Sequence, residues 1–383
     1  MRLQEVENID WAGGVLGAYV LLKDGQLEQD SIILAPSLYL LQVARQSPGK
    51  LTVRAAGYDL KKYFEALAQS GRRWQDITDG MMSGYLESTL HHDLGLSEKS
   101  IQRHCANLNG FYKFAESRGL ISHACDFSFL YHTINGETKI GRGKKNFNLA
   151  LNKKYINQEI FEILLSNVNE TPGFLRARDE LILEIGLHMG LRASEVVDPL
   201  NFKISKIKNT LNKTGESGTD STITNIFGKG GKKLRGVEMH PIIIEKIRNF
   251  LEKHRHSIPG DQLICTIDGF SLSESHASRV FNRAKKISIP AIKEKIKDLS
   301  KLETAPFTIS FASAKSLTFH CLRHTFTTNL VTFCYAHGID PKFYVPEQLG
   351  HCDWRTTKQY IVFEANVYNR DQTRKKLSPV MGA

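Results

Sequence analysis

No stretch of this 383-residue chain stays apolar for the ~20 residues a membrane-spanning helix needs. The opening Met1-Arg-Leu-Gln-Glu lacks the basic-then-apolar layout of a secretion signal. A cytoplasmic protein without membrane partners is therefore expected. Cysteine is sparse and scattered: Cys105, Cys125, Cys265, Cys321, Cys334 and Cys352 form no Cys-x-x-Cys pair. That spacing argues against a disulfide framework and against a structural zinc finger. There are no internal repeats or low-complexity tracts. The segment around Gly228-Lys229-Gly230-Gly231 lacks the full Gly-x4-Gly-Lys-Ser/Thr pattern of a phosphate loop. His320 and His324 have the i, i+4 spacing of a zinc pair, but no glutamate lies between them and no third ligand is suitably spaced.

Positive charge is abundant. Fifty-one lysines and arginines against 40 acidic residues leave a net charge of +11 and a pI near 9.2. The commonest polyanion inside a cell is nucleic acid, so this excess points to such a partner. The chain is also long enough for two domains, each with its own core.

The hydrophobic period changes along the chain. Residues 1–50 suggest short strands at 15–22 and 31–34 and a helix at 37–45, an N-terminal extension of unclear role. From 51 to 130 the period is helical. Thr52 is a plausible N-cap, with Val53, Ala56, Leu60, Phe64 and Leu67 on one face. A second helix is predicted from Thr78 to near Leu90, and a third from Ser97. On the third, Lys99 and Arg103 are candidate DNA contacts, with Gln102 and Asn107 beside them. Residues 131–156 read as a basic linker, with Arg142, Lys144 and Lys145 as further phosphate contacts.

The second unit is expected over 157–383, mainly α with a small antiparallel sheet. A helix over 179–189 ends at Gly190. A strand is expected near 202–207, then a polar loop at 215–220 and a hairpin over 222–239. Helices are predicted at about 241–254, 272–286 and 318–337, with an irregular lysine-rich stretch at 288–316 between the last two.

Certain residue types in this unit suit phosphodiester chemistry. A tyrosine can attack phosphorus and later be displaced, which divides a difficult transfer into two reversible halves. Arginine stays charged and grips two oxygens at once, while lysine or histidine can deliver a proton. His320 and Arg323, three apart, share a helix face. His351 follows Leu349-Gly350, and Tyr360 lies nine residues on. Arg192 opens a helix just after Gly190, and Glu195 can reach back to orient it. Lys229 stands at a glycine-flanked hairpin tip.

Together these segments resemble the tyrosine recombinase, or phage integrase, family. Gly190-Leu191-Arg192-Ala193-Ser194-Glu195 resembles its first arginine box, and Phe227-Gly228-Lys229-Gly230-Gly231 its hairpin lysine segment. His320-Cys321-Leu322-Arg323-His324 resembles its His-x-x-Arg box; Leu349-Gly350-His351 and Tyr360 resemble the final histidine and nucleophile. Phe319 stands where the family often has proline. Residues 35–125 resemble the family's SAM-like core-binding domain. The resemblance implies an all-α N-terminal domain followed by the catalytic fold.

It also implies the roles. Tyr360 attacks the scissile phosphate to give a 3′-phosphotyrosine, and Lys229, rather than Lys232 or Lys233, protonates the departing oxygen. Arg192, Arg323, His320 and His351 neutralise phosphorus, with His320 also a candidate base. Neither metal nor other cofactor is expected. Double-stranded DNA is the implied partner, bound by a homotetramer assembled from monomers or dimers and associated with the nucleoid. Accessory DNA-bending or directionality proteins are candidate partners. The implied event is integration or excision of a mobile element. The competing readings are a type IB topoisomerase-like nicking-resealing enzyme and a catalytically inert DNA-binding regulator.

Overall fold

The computed structural model describes residues 1–11, 14–24, 31–46, 50–122, 151–168, 173–217, 222–228, 234–302, 307–350 and 355–365. The chain forms two compact units, Met1–Gly143 and Lys144–Ala383.

The first unit begins with a hairpin of β1 (Arg2–Trp11) and β2 (Gly14–Leu22), antiparallel with a shift in register between Val6 and Ile9. The expected strand over 31–34 reduces to a single bridge between Leu22 and Ile32, because α1 (Leu34–Gln46) already begins there. Helices α2 (Lys50–Ser70), α3 (Asp79–Gly84) and α4 (Glu98–Ser117) complete the unit. Thr52 lies inside α2 and is not its cap. Thr78 and Ser97 do cap: their hydroxyls accept from the backbone N–H groups of Met81 and Ser100. Past α3 the turn widens into a π-helical stretch, Tyr85–Asp93. Leu21 of β2, Leu40 of α1, Leu60 of α2 and Leu108 of α4 are fully buried in one core. The first fifty residues thus supply part of that core.

One side of this core is polar. Asp59, 1% exposed, accepts from Arg103 Nε (2.9 Å) and Nη2 (2.7 Å) and from Asn107 Nδ2 (2.6 Å), with His104 Nε2 at 2.8 Å. Of the candidate DNA contacts on α4, Arg103 makes this ion pair with its side chain half exposed, and Lys99 is exposed. Burial alone would raise the Asp59 pKa, but hydrogen bonds from Arg103, His104 and Asn107 outweigh it and hold the carboxyl below the usual range. A depressed carboxyl stabilises the fold above its unfolded pKa and loses that contribution as pH falls through the folded value. Asp59→Asn should cost about 2 kcal/mol at neutral pH, since it removes charge from several buried hydrogen bonds. Chemical denaturation should show the difference from the parent narrowing at acid pH.

The second unit is built around α6 (Phe174–His188), which follows α5 (Gln158–Ser166). Leu181, Ile182, Leu183, Ile185 and Leu187 point all round α6, and all are buried. A helix apolar on every side belongs at the centre. Of its two buried acids, Asp179 is held by Arg178 (2.7 Å) and Arg283 (2.6 Å), and Glu184 by Lys246 (2.6 Å). After α7 (Ala193–Val197) comes a difference from expectation. Most of the segment expected as a strand, and the first residues of the expected loop, belong to helix α8 (Ile204–Ser217), in which Ile207 and Leu211 are buried. The β-branched Ile204 and Ile207 suggested a strand, and packing at helical spacing prevailed.

Strands β3 (Thr222–Phe227) and β4 (Leu234–Met239) form the expected hairpin, pairing Thr222 with Met239 and Phe227 with Leu234. Helix α9 (Pro241–Phe250) follows. Helix α10 (His276–Leu299) takes up residues 288–299 of the stretch expected to be irregular. Its buried Ala277, Val280, Phe281, Ala284, Ser288 and Ile292 keep helical spacing past Pro290, and most of the lysines that suggested a loop face outward. Then come α11 (Phe311–Lys315), α12 (His320–Ala336), α13 (Pro341–Leu349) and α14 (Arg355–Phe363). Helix α12 packs on α6, α13 and α14, which brings the sequence boxes to one place.

Candidate active site

Gly190 ends the central helix with φ +62°, and the chain turns so that Arg192 becomes the extended N-cap of α7. A side chain at 190 would meet Phe326, which explains glycine there. Glu195 lies one turn into α7 with 1% of its surface exposed. Its Oε2 accepts from the Arg192 backbone N–H (2.9 Å) and its Oε1 from Arg192 Nη1 (2.6 Å). Arg235 on β4 grips the same carboxylate, Nη1 to Oε1 at 3.1 Å and Nη2 to Oε2 at 2.8 Å. Burial would raise the Glu195 pKa, yet Arg235 and then Arg192 pull it down to about 2. Buried Asn201 fastens the hairpin to this corner, donating to the Glu195 carbonyl (2.9 Å) and accepting from the Phe227 N–H (2.8 Å).

Arg323, 2% exposed, joins two other boxes. Its Nη1 donates to the Gly190 carbonyl (2.7 Å) and its Nη2 to the Leu349 carbonyl (2.6 Å). Burial and then the field of Arg192 lower its pKa to about 9, so it stays charged at neutral pH. His320 opens α12 with part of its ring exposed. Crowding by protein, then the positive fields of Arg323, Arg192 and Lys154, lower its pKa to about 4, leaving a neutral imidazole at pH 7.

Tyr360 is 3% exposed, in an apolar cluster with Leu330, Val331 and Phe363. Burial raises its pKa to about 12, while Arg323 pulls the other way. Its hydroxyl lies 2.7 Å from His324 Nδ1, and the His324 ring is edge-on to His320 with centroids 4.6 Å apart. The histidine touching the phenol is thus His324 and not the expected candidate base His320, with Thr327 also bonded to Tyr360.

The site therefore gathers Arg192, Glu195, His320, Arg323 and Tyr360. Lys229 and His351, with Arg142, Lys144 and Lys145, lie outside the described residues. Two participants were missed, Arg235 and His324. Arg235 left a signal: on β4 it shares the face of buried Val237 and Met239, and an arginine on a strand's inner face needs an acidic partner. His324 left none beyond its place in the His-x-x-Arg box. Among the described residues no acid–histidine–cysteine cluster could hold a metal ion, and no helix is long and apolar enough to cross a membrane.

This architecture is that of the site-specific recombinases. A crystal structure of XerH site-specific recombinase bound to palindromic difH substrate aligns over 88% of this chain and 83% of that one, with TM-score 0.57 and 20% identity. The Tn1549 transposon integrase in complex with circular intermediate DNA aligns over 89% and 98%, with TM-score 0.54 and 16% identity. A lambda integrase dimer bound to a COC′ core site aligns over 86% and 77%, with TM-score 0.52 and 16% identity.

The sequence comparisons are more specific. Tyrosine recombinase XerD of Staphylococcus saprophyticus is 27% identical over 319 residues, 81% of this chain and 86% of that protein. XerD of Staphylococcus aureus is 25% identical over 313 residues, with the same coverage. The phage integrase family model matches residues 154–366, and the phage integrase N-terminal SAM-like domain model matches residues 38–119. The chain belongs to the phage integrase family. It is an enzyme of the site-specific DNA recombinase and integrase class, as the sequence boxes implied.

Proposed function

We propose that the chain cuts and rejoins double-stranded DNA through a covalent bond between Tyr360 and a 3′-phosphate, as a homotetramer serving a mobile element. The observation that carries this reading is the setting of Tyr360. Its hydroxyl is hydrogen-bonded to a histidine one helical turn from His320, within the field of Arg323.

The chemistry follows from that setting. The Tyr360 oxygen forms a bond to phosphorus as the bond to the sugar 5′-oxygen breaks. The phenolic proton leaves to a histidine, and Lys229 supplies a proton to the departing 5′-oxygen. Arg192 and Arg323 neutralise the non-bridging oxygens, with His320 and His351 donating beside them. Four such donors offset the charge that builds up in the transition state. The reverse reaction, with a 5′-hydroxyl from a second duplex, exchanges strands. Lys99 and the basic residues 142, 144 and 145 add sequence-independent phosphate contacts.

Covalent capture tests this reading. The protein is mixed with a random-sequence duplex library, denatured in detergent, and protein-linked DNA is recovered. Proteolysis should release strands blocked at the 3′ end, with the complementary fragment carrying a free 5′-hydroxyl that a kinase labels directly. A 5′-phosphotyrosyl end would overturn the polarity; recovery of no linked DNA would overturn the reading. Binding to the recovered duplex should weaken with salt by about 0.9 in the log–log slope for each phosphate contact.

A further inference from the structure

We infer that Arg235 is a positioning residue of the strand-cleavage site, holding Arg192 through Glu195 and supporting the turn before His351. The inference rests on the roles of Tyr360 and Arg192 given above.

The charge balance comes first. A buried carboxylate paired with Arg192 alone would make a neutral couple, poorly suited to attract a phosphate. Arg235 makes the group two guanidiniums around one carboxylate, with a net charge of +1. Glu195 can then orient Arg192 without cancelling it.

Geometry adds a second reason. Each Glu195 oxygen receives one bond from Arg192 and one from Arg235. The carboxylate is clamped from both sides, so it cannot swing both oxygens onto Arg192 and draw that side chain inward. A charge-assisted pair of donors in a buried setting is a strong restraint. Both Arg235 Nη atoms are committed to Glu195, and the side chain is only 12% exposed. Arg235 is thus placed to hold Arg192, not to touch DNA.

The third reason is its stem. Gly350 caps α13 at φ +64°, and a Cβ there would lie 2.8 Å from Arg235 Cδ. The turn therefore crosses the Arg235 stem at a distance only glycine allows. The preceding residue, Leu349, gives its carbonyl to Arg323, and the next is His351. Two further bonds tie β4 to α13: the Glu238 N–H donates to Gln348 Oε1 (3.1 Å) and Tyr344 donates to Glu238. One strand residue thus braces the Arg192 box from one side and the Leu349-Gly350 turn from the other.

The test uses the full chain and the duplex recovered by covalent capture, nicked to trap the adduct. Arg235→Met keeps the stem beneath Gly350 and removes the guanidinium; Arg235→Lys restores charge and one donor. Arg235→Met should slow single-turnover adduct formation by about 10²-fold, and Arg235→Lys should recover about tenfold of that. Affinity for the duplex should stay within about threefold of the parent, since the loss lies in the transition state. In an Arg192→Ala background, Arg235→Met should cost less than about threefold more, because the two act as one unit. A rate within threefold of the parent overturns the inference, as does an undiminished loss in the Arg192→Ala background. Failure of the underlying reading looks different: the parent protein itself would form no adduct.

Discussion

Tyr360→Phe should eliminate the protein–DNA adduct while leaving the fold and duplex binding nearly intact. The ring sits in an apolar cluster and stacks at a tilt on His324, with centroids 5.7 Å apart. Phenylalanine preserves those contacts. The substitution removes the hydrogen bond between the hydroxyl and His324 Nδ1 and the one shared with Thr327. Each such bond contributes about 1 kcal/mol net, so the melting temperature should move by only a few degrees.

The chemical loss is of another order, because phenylalanine has no oxygen with which to form the bond to phosphorus. With a pKa near 12, the phenol is ionised in only about one molecule in 10⁵ at pH 7. Proton removal must accompany attack, and His324 is the neighbour already in place to accept. Detergent gels of protein on the nicked duplex should show no shifted band for Tyr360→Phe, and filter binding should give an affinity within about threefold of the parent. A persistent band would assign the nucleophile elsewhere.

The legible part of this protein was the part that local chemistry dictates. Boxes around Arg192, His320 and Tyr360 could be recognised because each needs a fixed residue type in a fixed local setting. Helices α2, α4 and α12 were legible because their apolar residues recur at helical spacing or their caps stand in the expected place. Errors arose where packing overrode a local cue. Ile204 and Ile207 looked like strand residues until Leu211 joined them on a buried helix face. The lysine-rich stretch from 288 looked irregular, although Ile292 and Leu299 continue the inner stripe of α10. The ion pair of Arg103 was not legible either, because its partner, Asp59, lies 44 residues away. The pairing of Arg235 with Glu195 escaped for the same reason, being set by how β4 meets α7. Sequence spacing identifies which groups can act, and tertiary contact decides what holds them.

Gly190→Ala tests that dependence on tertiary support at the most constrained point of the site. At φ +62° a Cβ costs about 1 kcal/mol or more of backbone strain. The added methyl would also lie 2.2 Å from Phe326 Cδ1 and 2.8 Å from Cε1, on a ring buried in the same unit. Overpacking of that kind costs roughly a further 1–3 kcal/mol. Urea denaturation followed by circular dichroism should therefore show a loss of about 3 kcal/mol. Activity should fall by more than the folded fraction explains. The Gly190 carbonyl accepts from Arg323, and Arg192 stands two residues on, so any shift that relieves the clash moves both guanidiniums. Adduct formation per folded molecule should drop by about 10²-fold, the usual cost of displacing a preorganised donor. A stability within about 0.5 kcal/mol of the parent would show that Phe326 can yield, and that the turn tolerates a side chain. A stability loss with unchanged adduct formation per folded molecule would instead separate the turn from the chemistry, with Arg323 positioned independently of the Gly190 carbonyl.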